Sequence, residues 1–123
     1  MFELEIVREF SAAHQLRGYN GDCSNLHGHN YQIKAILRAK KLDGIGIAVD
    51  FKKLKAALDG IISEFDHTNI SENPLFAELN PTSEMIAMVI FKKLQEKIND
   101  GNVSLYGVKV FESSSSSAMY YED

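Results

Sequence analysis

Two histidines, His27 and His29, flank a single glycine in this chain. On an extended strand, residues two apart point to the same side, so both imidazoles can reach one point in space. A third histidine, His14, lies just past an earlier alternating segment. If those two segments pair antiparallel, the end of the first lies beside the start of the second. Three converging neutral imidazoles suit Zn²⁺ and leave a coordination position for substrate or water. A bare His-x-His pair is commonly structural, and the third ring at the adjoining strand end is what gives it weight. No second cysteine or further histidine pair offers a fourth ligand, so an open, catalytic site is expected rather than a closed one.

Other reactive groups stand at separate points of the sequence. Cys23, flanked by Asp22, Ser24 and Asn25, lies four residues before His27. It reads equally as a small inert residue and as a thiol whose pKa a nearby cation lowers. Asp66-His67 can be an acid–imidazole relay or a helix-terminal histidine facing the last carbonyls. Glu112 closes an apolar strand face, where a carboxylate needs a partner: a lysine, or the paired N–H edge of an amidine-like ligand. Thr82 and Ser83 can present hydroxyls nearby or simply cap a helix.

The elements that must position these groups follow from hydrophobic periodicity. Phe2, Leu4, Ile6 and Phe10 alternate with glutamates, giving a first strand over 2–10. A polar stretch from Arg17 to Asn25 reads as a loop, and alternation resumes from His27 to Arg38 as a second strand. Gly44 and Gly46 mark a turn, with Ile45, Ile47 and Val49 expected to be extended. Phe51, Leu54, Leu58, Ile61, Ile62 and Phe65 recur at helical spacing after an Asp50 N-cap. Asn80-Pro81 is expected to start a second helix, with stripe Ala87, Ile90, Phe91, Leu94 and Ile98 and an end at Gly101. Tyr106, Val108, Val110 and Glu112 are expected to share a face of a third strand, and residues 118–122 form a fourth. Ser113–Ser117 reads as a mobile surface loop. The order strand-strand-helix-helix-strand-strand predicts an α+β two-layer sandwich, whose open sheet edges call for closed oligomerisation.

Composition bounds the function classes. The 123 residues, 45% apolar and 24% charged, are a globular balance within the size of a single domain. The net charge of −4 and the dispersed lysines and arginines argue against a nucleic-acid or membrane surface. No apolar run approaches the ~18 residues of a bilayer span. One cysteine allows no internal disulfide, and the start Met1-Phe2-Glu3-Leu4-Glu5 lacks a signal-peptide pattern, so a cytoplasmic protein is expected.

Cys23-Ser24-Asn25-Leu26-His27-Gly28-His29, preceded by Ala12-Ala13-His14, resembles the signature of the 6-pyruvoyl-tetrahydropterin synthase superfamily. The likeness continues through Val49-Asp50-Phe51 with Leu54-Lys55, Phe65-Asp66-His67, Asn80-Pro81-Thr82-Ser83-Glu84 and Val110-Phe111-Glu112 with Tyr120. The short spacing between Cys23 and His27 is similar to the bacterial 6-carboxy-tetrahydropterin synthase branch of the queuosine pathway.

The resemblance implies a single tunnelling-fold domain over 1–123, a four-stranded antiparallel sheet with two helices on one face. Three such subunits would close a barrel, often stacked as a hexamer, with active sites between subunits. It implies His14, His27 and His29 as zinc ligands, Cys23 as proton acceptor, and His67 with Asp66 as relay. Glu112 becomes the pterin anchor, also counted in the relay, with Thr82 and Ser83 beside the ring. The implied substrate is 7,8-dihydroneopterin triphosphate and the products are 6-carboxy-tetrahydropterin, acetaldehyde and triphosphate. Arg8, Lys34 and Arg38 are candidate triphosphate cations by face and sign. Alternatives are a pyruvoyl-forming or side-chain-trimming paralogue, a zinc hydrolase that needs no thiol, and a non-catalytic pterin- or purine-binding oligomer.

Overall fold

The computed structural model describes residues 1–18, 21 and 25–123. Strand β1 (Phe2–His14) pairs antiparallel with β2 (His27–Ala39), in a register that sets Phe2 opposite Ala39 and His14 opposite His27. Helices α1 (Phe51–Ile62) and α2 (Ser83–Ile98) follow, then β3 (Val103–Ser113) and β4 (Ser116–Tyr121). The sheet order is β1-β2-β3-β4, with all pairs antiparallel.

Alternation decides which side chains enter the core. Ile6, Phe10 and Ala12 of β1 and Tyr31, Ile33, Ala35, Leu37 and Ala39 of β2 are buried on one sheet face. Both helices pack there, α1 over β1 and α2 over β3 and β4. Asp50 caps α1 by accepting from Lys52 N at 2.8 Å, and Leu54, Leu58, Ile61 and Ile62 form its buried stripe. Phe51, expected in that stripe, is half exposed at the helix start. The opposite sheet face carries Lys34 and Lys109 over the Phe111 ring and the Arg38 guanidinium 3.6 Å from the Tyr106 ring centroid.

Four local expectations are corrected. The cap of α2 is Thr82, whose hydroxyl accepts from Met85 N at 3.1 Å, so Asn80-Pro81 precedes the helix instead of opening it. The helix ends at an Asn99 cap, not at Gly101; Asn99 Oδ1 also accepts from Leu105 N at 2.8 Å and so ties α2 to β3. Residues 45–49 are not a strand: Asp43 Oδ1 accepts from Ile45 N and Ile47 N at 2.9 and 3.0 Å, folding a tight turn. Ser113–Ser117 forms a hairpin turn, with Ser113 paired to Ser116, in place of a mobile loop.

Two register shifts in β3 matter most. Ile36 faces Gly107 while Leu37 faces Leu105, so Tyr106 is an extra residue, and Leu105 rather than Tyr106 enters the core. Phe111 faces Ser117 while Ser113 faces Ser116, so Glu112 is a second extra residue. A bulge of this kind bends a strand and re-aims its side chain.

Candidate metal centre and active site

The β1–β2 register brings His14 and His27 face to face, and His29 stands one pleat along on the same side, opposite Ala12. Centroids of the three rings lie 4.5, 5.0 and 4.8 Å apart. His14 is only 1% exposed. Its Nδ1 donates to Pro81 O at 2.8 Å, and His27 Nδ1 donates to Asn25 O at 2.7 Å. A carbonyl can only accept, so each Nδ1 carries a proton, and in a neutral ring so bonded Nε2 is a bare lone pair. Those two Nε2 atoms stand 2.9 Å apart. Two lone pairs at that distance repel unless a proton or a metal ion lies between them.

His29 Nε2 approaches Glu112 Oε1 to 3.1 Å, yet outside hydrogen-bond geometry, and it is a buried nitrogen without a hydrogen-bond partner among the described residues. Burial lowers the His29 pKa; Glu112 opposes that shift, and His14 and His27 add to it. The ring is therefore biased toward its neutral, ligating form, in which the Glu112 contact is not an ion pair. One ligand atom from each of His14, His27, His29 and Glu112 lies within 4.8 Å of every other. Three imidazole nitrogens with an adjacent carboxylate fit a borderline-soft divalent cation such as Zn²⁺.

Glu112 reaches this cluster because of the β3 bulge. Ser83 Oγ, on the first residue of α2, donates to Glu112 Oε2 at 3.1 Å. Ser83, Glu84, Glu112, Ser116, Ser117 and Ala118 line a cavity of about 230 Å³. Of the two hydroxyl candidates, Ser83 touches the site, whereas the Thr82 hydroxyl is engaged as the helix cap.

Asp66 and His67 come together without any second chain. After α1, residues 66–69 run along the outer edge of β1: His67 N donates to Ser11 O at 2.6 Å and Ala13 N to Thr68 O at 2.9 Å. His67 adopts the left-handed φ of 59°, unusual for a side-chain-bearing residue. Asp66 Oδ1 then accepts from Ser11 N at 2.9 Å and lies 3.0 Å from His67 Nδ1. The Ser11 amide is the main cause that holds the Asp66 carboxyl below its usual range, with His67 adding to it. The His67 side chain is 81% exposed. His67 and His29 line one groove of about 470 Å³ with Ser11, Ala13, Gly28 and Asn30. The helix-terminal reading of His67 is thereby displaced, because its backbone is docked on β1 beyond the end of α1.

Cys23 lies outside the described residues. The three cation candidates are not gathered at the imidazoles. Arg8 Nε lies 3.1 Å from Asp59 Oδ1, and Lys34 and Arg38 sit on the opposite sheet face over aromatic rings.

Sequence reasoning missed the carbonyls of Asn25 and Pro81, which set the histidine tautomers, because backbone acceptors carry no residue-type signal. It also missed Tyr31, fully buried against His14 and His29, with a phenol oxygen lacking a hydrogen-bond partner among the described residues. Burial, then the Glu112 charge, push that phenol pKa far up. Its place in the alternation two residues after His29 was the available signal.

The residue pattern of the family described as 6-pyruvoyl tetrahydropterin synthase matches residues 3–123. The chain belongs to that family. A 6-carboxy-5,6,7,8-tetrahydropterin synthase of Synechocystis is 38% identical over 94% of this chain and 92% of its own length. The Bacillus subtilis protein of the same name is 33% identical over 76% of this chain and 66% of its own. Among solved structures, the 6-pyruvoyl tetrahydropterin synthase of Caenorhabditis elegans superposes with a TM-score of 0.87 at 30% identity, covering 99% of this chain and 96% of that one. The tunnelling-fold subunit is thus shared across the 6-pyruvoyl tetrahydropterin synthase family, and relatives bearing both reaction names resemble this chain.

Proposed function

We propose that this chain is a zinc-dependent carbon–carbon lyase of 7-deazaguanine (queuosine) biosynthesis, a single domain over 1–123 acting in the cytoplasm. It would convert 7,8-dihydroneopterin triphosphate and one water into 6-carboxy-tetrahydropterin, acetaldehyde and triphosphate. The observation that carries the reading is the 2.9 Å approach of the His14 and His27 Nε2 atoms, with both Nδ1 protons committed to carbonyls. His14, His27 and His29 would hold the Zn²⁺, which when bound acts as a Lewis acid on the substrate's side-chain oxygens.

The chain's own residues supply the proton traffic and the orientation. Cys23, as thiolate, takes the proton from the side-chain carbon, and His67, its Nδ1 side held by Asp66, returns one. The shift is an internal redox rearrangement and needs no nicotinamide. Glu112 accepts hydrogen bonds from the pterin N–H edge and fixes the reacting carbons over the imidazole cluster. Ser83 keeps that carboxylate in place, and Thr82 fixes the helix start beside the ring.

A homo-oligomer built on trimers, and as hexamers where trimers stack, is part of the same proposal. Segment 66–69 covers the outer edge of β1 only near Ser11–Ala13, and β4 ends the sheet on its other side. Strand edges left in this way are a ready template for another copy, and a closed ring removes them. No nucleic-acid or membrane partner enters this reading, and no helix among the described residues is long and apolar enough to cross a membrane.

A second reading, the pyruvoyl-forming reaction, is favoured by the fit to the Caenorhabditis elegans structure. Incubation of the zinc-loaded protein with 7,8-dihydroneopterin triphosphate, with products identified by mass, separates the two. Release of acetaldehyde with 6-carboxy-tetrahydropterin is the expected result. A 6-pyruvoyl product without acetaldehyde transfers the chain to the other branch, and no turnover supports a binding role alone.

A further inference from the structure

His14 has the most constrained ring of the cluster, and its constraint leads outward to a residue pair with no place in the proposed reaction. The carbonyl that receives its Nδ1 proton belongs to Pro81, in the irregular segment between the 3₁₀ turn Pro74–Phe76 and α2. Such a segment has no ladder of its own to hold a carbonyl still. Arg17 supplies the hold. Its Nη2 donates to Phe76 O at 2.8 Å and to Leu79 O at 2.6 Å, and its Nη1 donates to Ala77 O at 3.2 Å. Asn80 completes the junction in both directions. Its Oδ1 accepts from Arg17 N at 2.8 Å and from Arg17 Nε at 3.3 Å, while its Nδ2 donates to Arg17 O at 2.7 Å. Asn80 O in turn accepts from Thr82 N at 2.9 Å, which straddles Pro81.

We propose that Arg17 and Asn80 are positioning residues of the metal centre, which fix the Pro81 carbonyl and through it the Nδ1–H tautomer and orientation of His14. The inference rests on the reading of His14, His27 and His29 as metal ligands. A planar guanidinium with several fixed donors can gather three carbonyls, from the end of the 3₁₀ turn and the irregular segment after it, which no single-donor side chain can do. Arg17 lies three residues after His14, so one short segment carries both the ligand and the clamp for the ligand's partner. Removing the fork frees residues 76–81, and the His14 ring is then free to present either nitrogen. Loss of an outer partner of a metal-bound histidine typically weakens metal affinity about 10- to 100-fold.

The test pairs two readouts on the full chain: Zn²⁺ affinity by competition with a chromophoric chelator, and the His14 tautomer by ¹⁵N NMR of the metal-free protein. Wild type is expected in the Nδ1–H form. Arg17→Ala and Asn80→Ala are expected to give mixed tautomers and roughly 10- to 100-fold weaker zinc binding, with backbone amide shifts of β2 and α1 unchanged. Asn80→Asp retains the oxygen acceptor and is expected to fall between wild type and Asn80→Ala. Wild-type tautomer and affinity in both alanine variants overturn the inference. If wild type is Nδ1–H and the variants are mixed while none binds zinc, the positioning stands and the metal reading is what fails. If the alanine variants lose their fold, a mixed tautomer in folded Asn80→Asp still supports the clamp, and an unchanged one overturns it.

Discussion

Ser83 Oγ donates to Glu112 Oε2 across 3.1 Å, joining the first residue of α2 to the extra residue of the β3 bulge. The contact leaves Glu112 Oε1 directed at the imidazoles. The position suits either of two roles, metal ligand or substrate anchor, and substitution separates them. Glu112→Ala is expected to leave zinc content unchanged and to weaken pterin binding by about 1.5–3 kcal/mol, the scale of a charge-assisted hydrogen bond. Substrate titration beside metal analysis of the same sample checks it. Loss of zinc would make Glu112 a ligand instead.

In the proposed reaction, proton transfer falls to side chains outside the histidine cluster. Cys23→Ala and His67→Ala are each expected to lower kcat by roughly 10²- to 10⁴-fold with zinc retained. Asp66→Asn keeps an acceptor for Ser11 N but loses the charge beside His67, so a smaller loss with an altered pH profile is expected. Undiminished turnover in Cys23→Ala would favour a hydrolase that needs no thiol.

Acid should act on the metal-free fold through His29. Its folded pKa lies below the ordinary 6.5, chiefly through burial. Between those two values the unfolded chain binds more protons, so stability falls as pH drops through 6.5 and levels off below the folded value. Thermal midpoints of metal-free wild type and His29→Gln, compared from pH 8 to pH 5, should diverge as the pH falls, with the variant the less acid-sensitive. Parallel curves would exclude His29 as the cause.

The trio of imidazoles was legible because strand alternation is unbroken from His27 to Ala39, and the antiparallel register then places His14 opposite His27. The two-layer fold was legible from the change of period at Asp50, where the N-cap sits as expected. What failed was set by tertiary geometry. The bulge at Tyr106 swaps the parity of β3, so Leu105 takes the core position that simple alternation assigns to Tyr106. The left-handed backbone at His67 lets adjacent residues meet, which spacing alone argues against. Neither a bulge nor a positive φ on a histidine has a dependable residue signature.

Metal analysis of purified wild type beside His27→Ala tests the central claim most directly. One zinc per chain in wild type, and its loss in the folded variant, is the predicted result. Equal zinc in both proteins, or a wild type that binds none when zinc is supplied, would contradict the account.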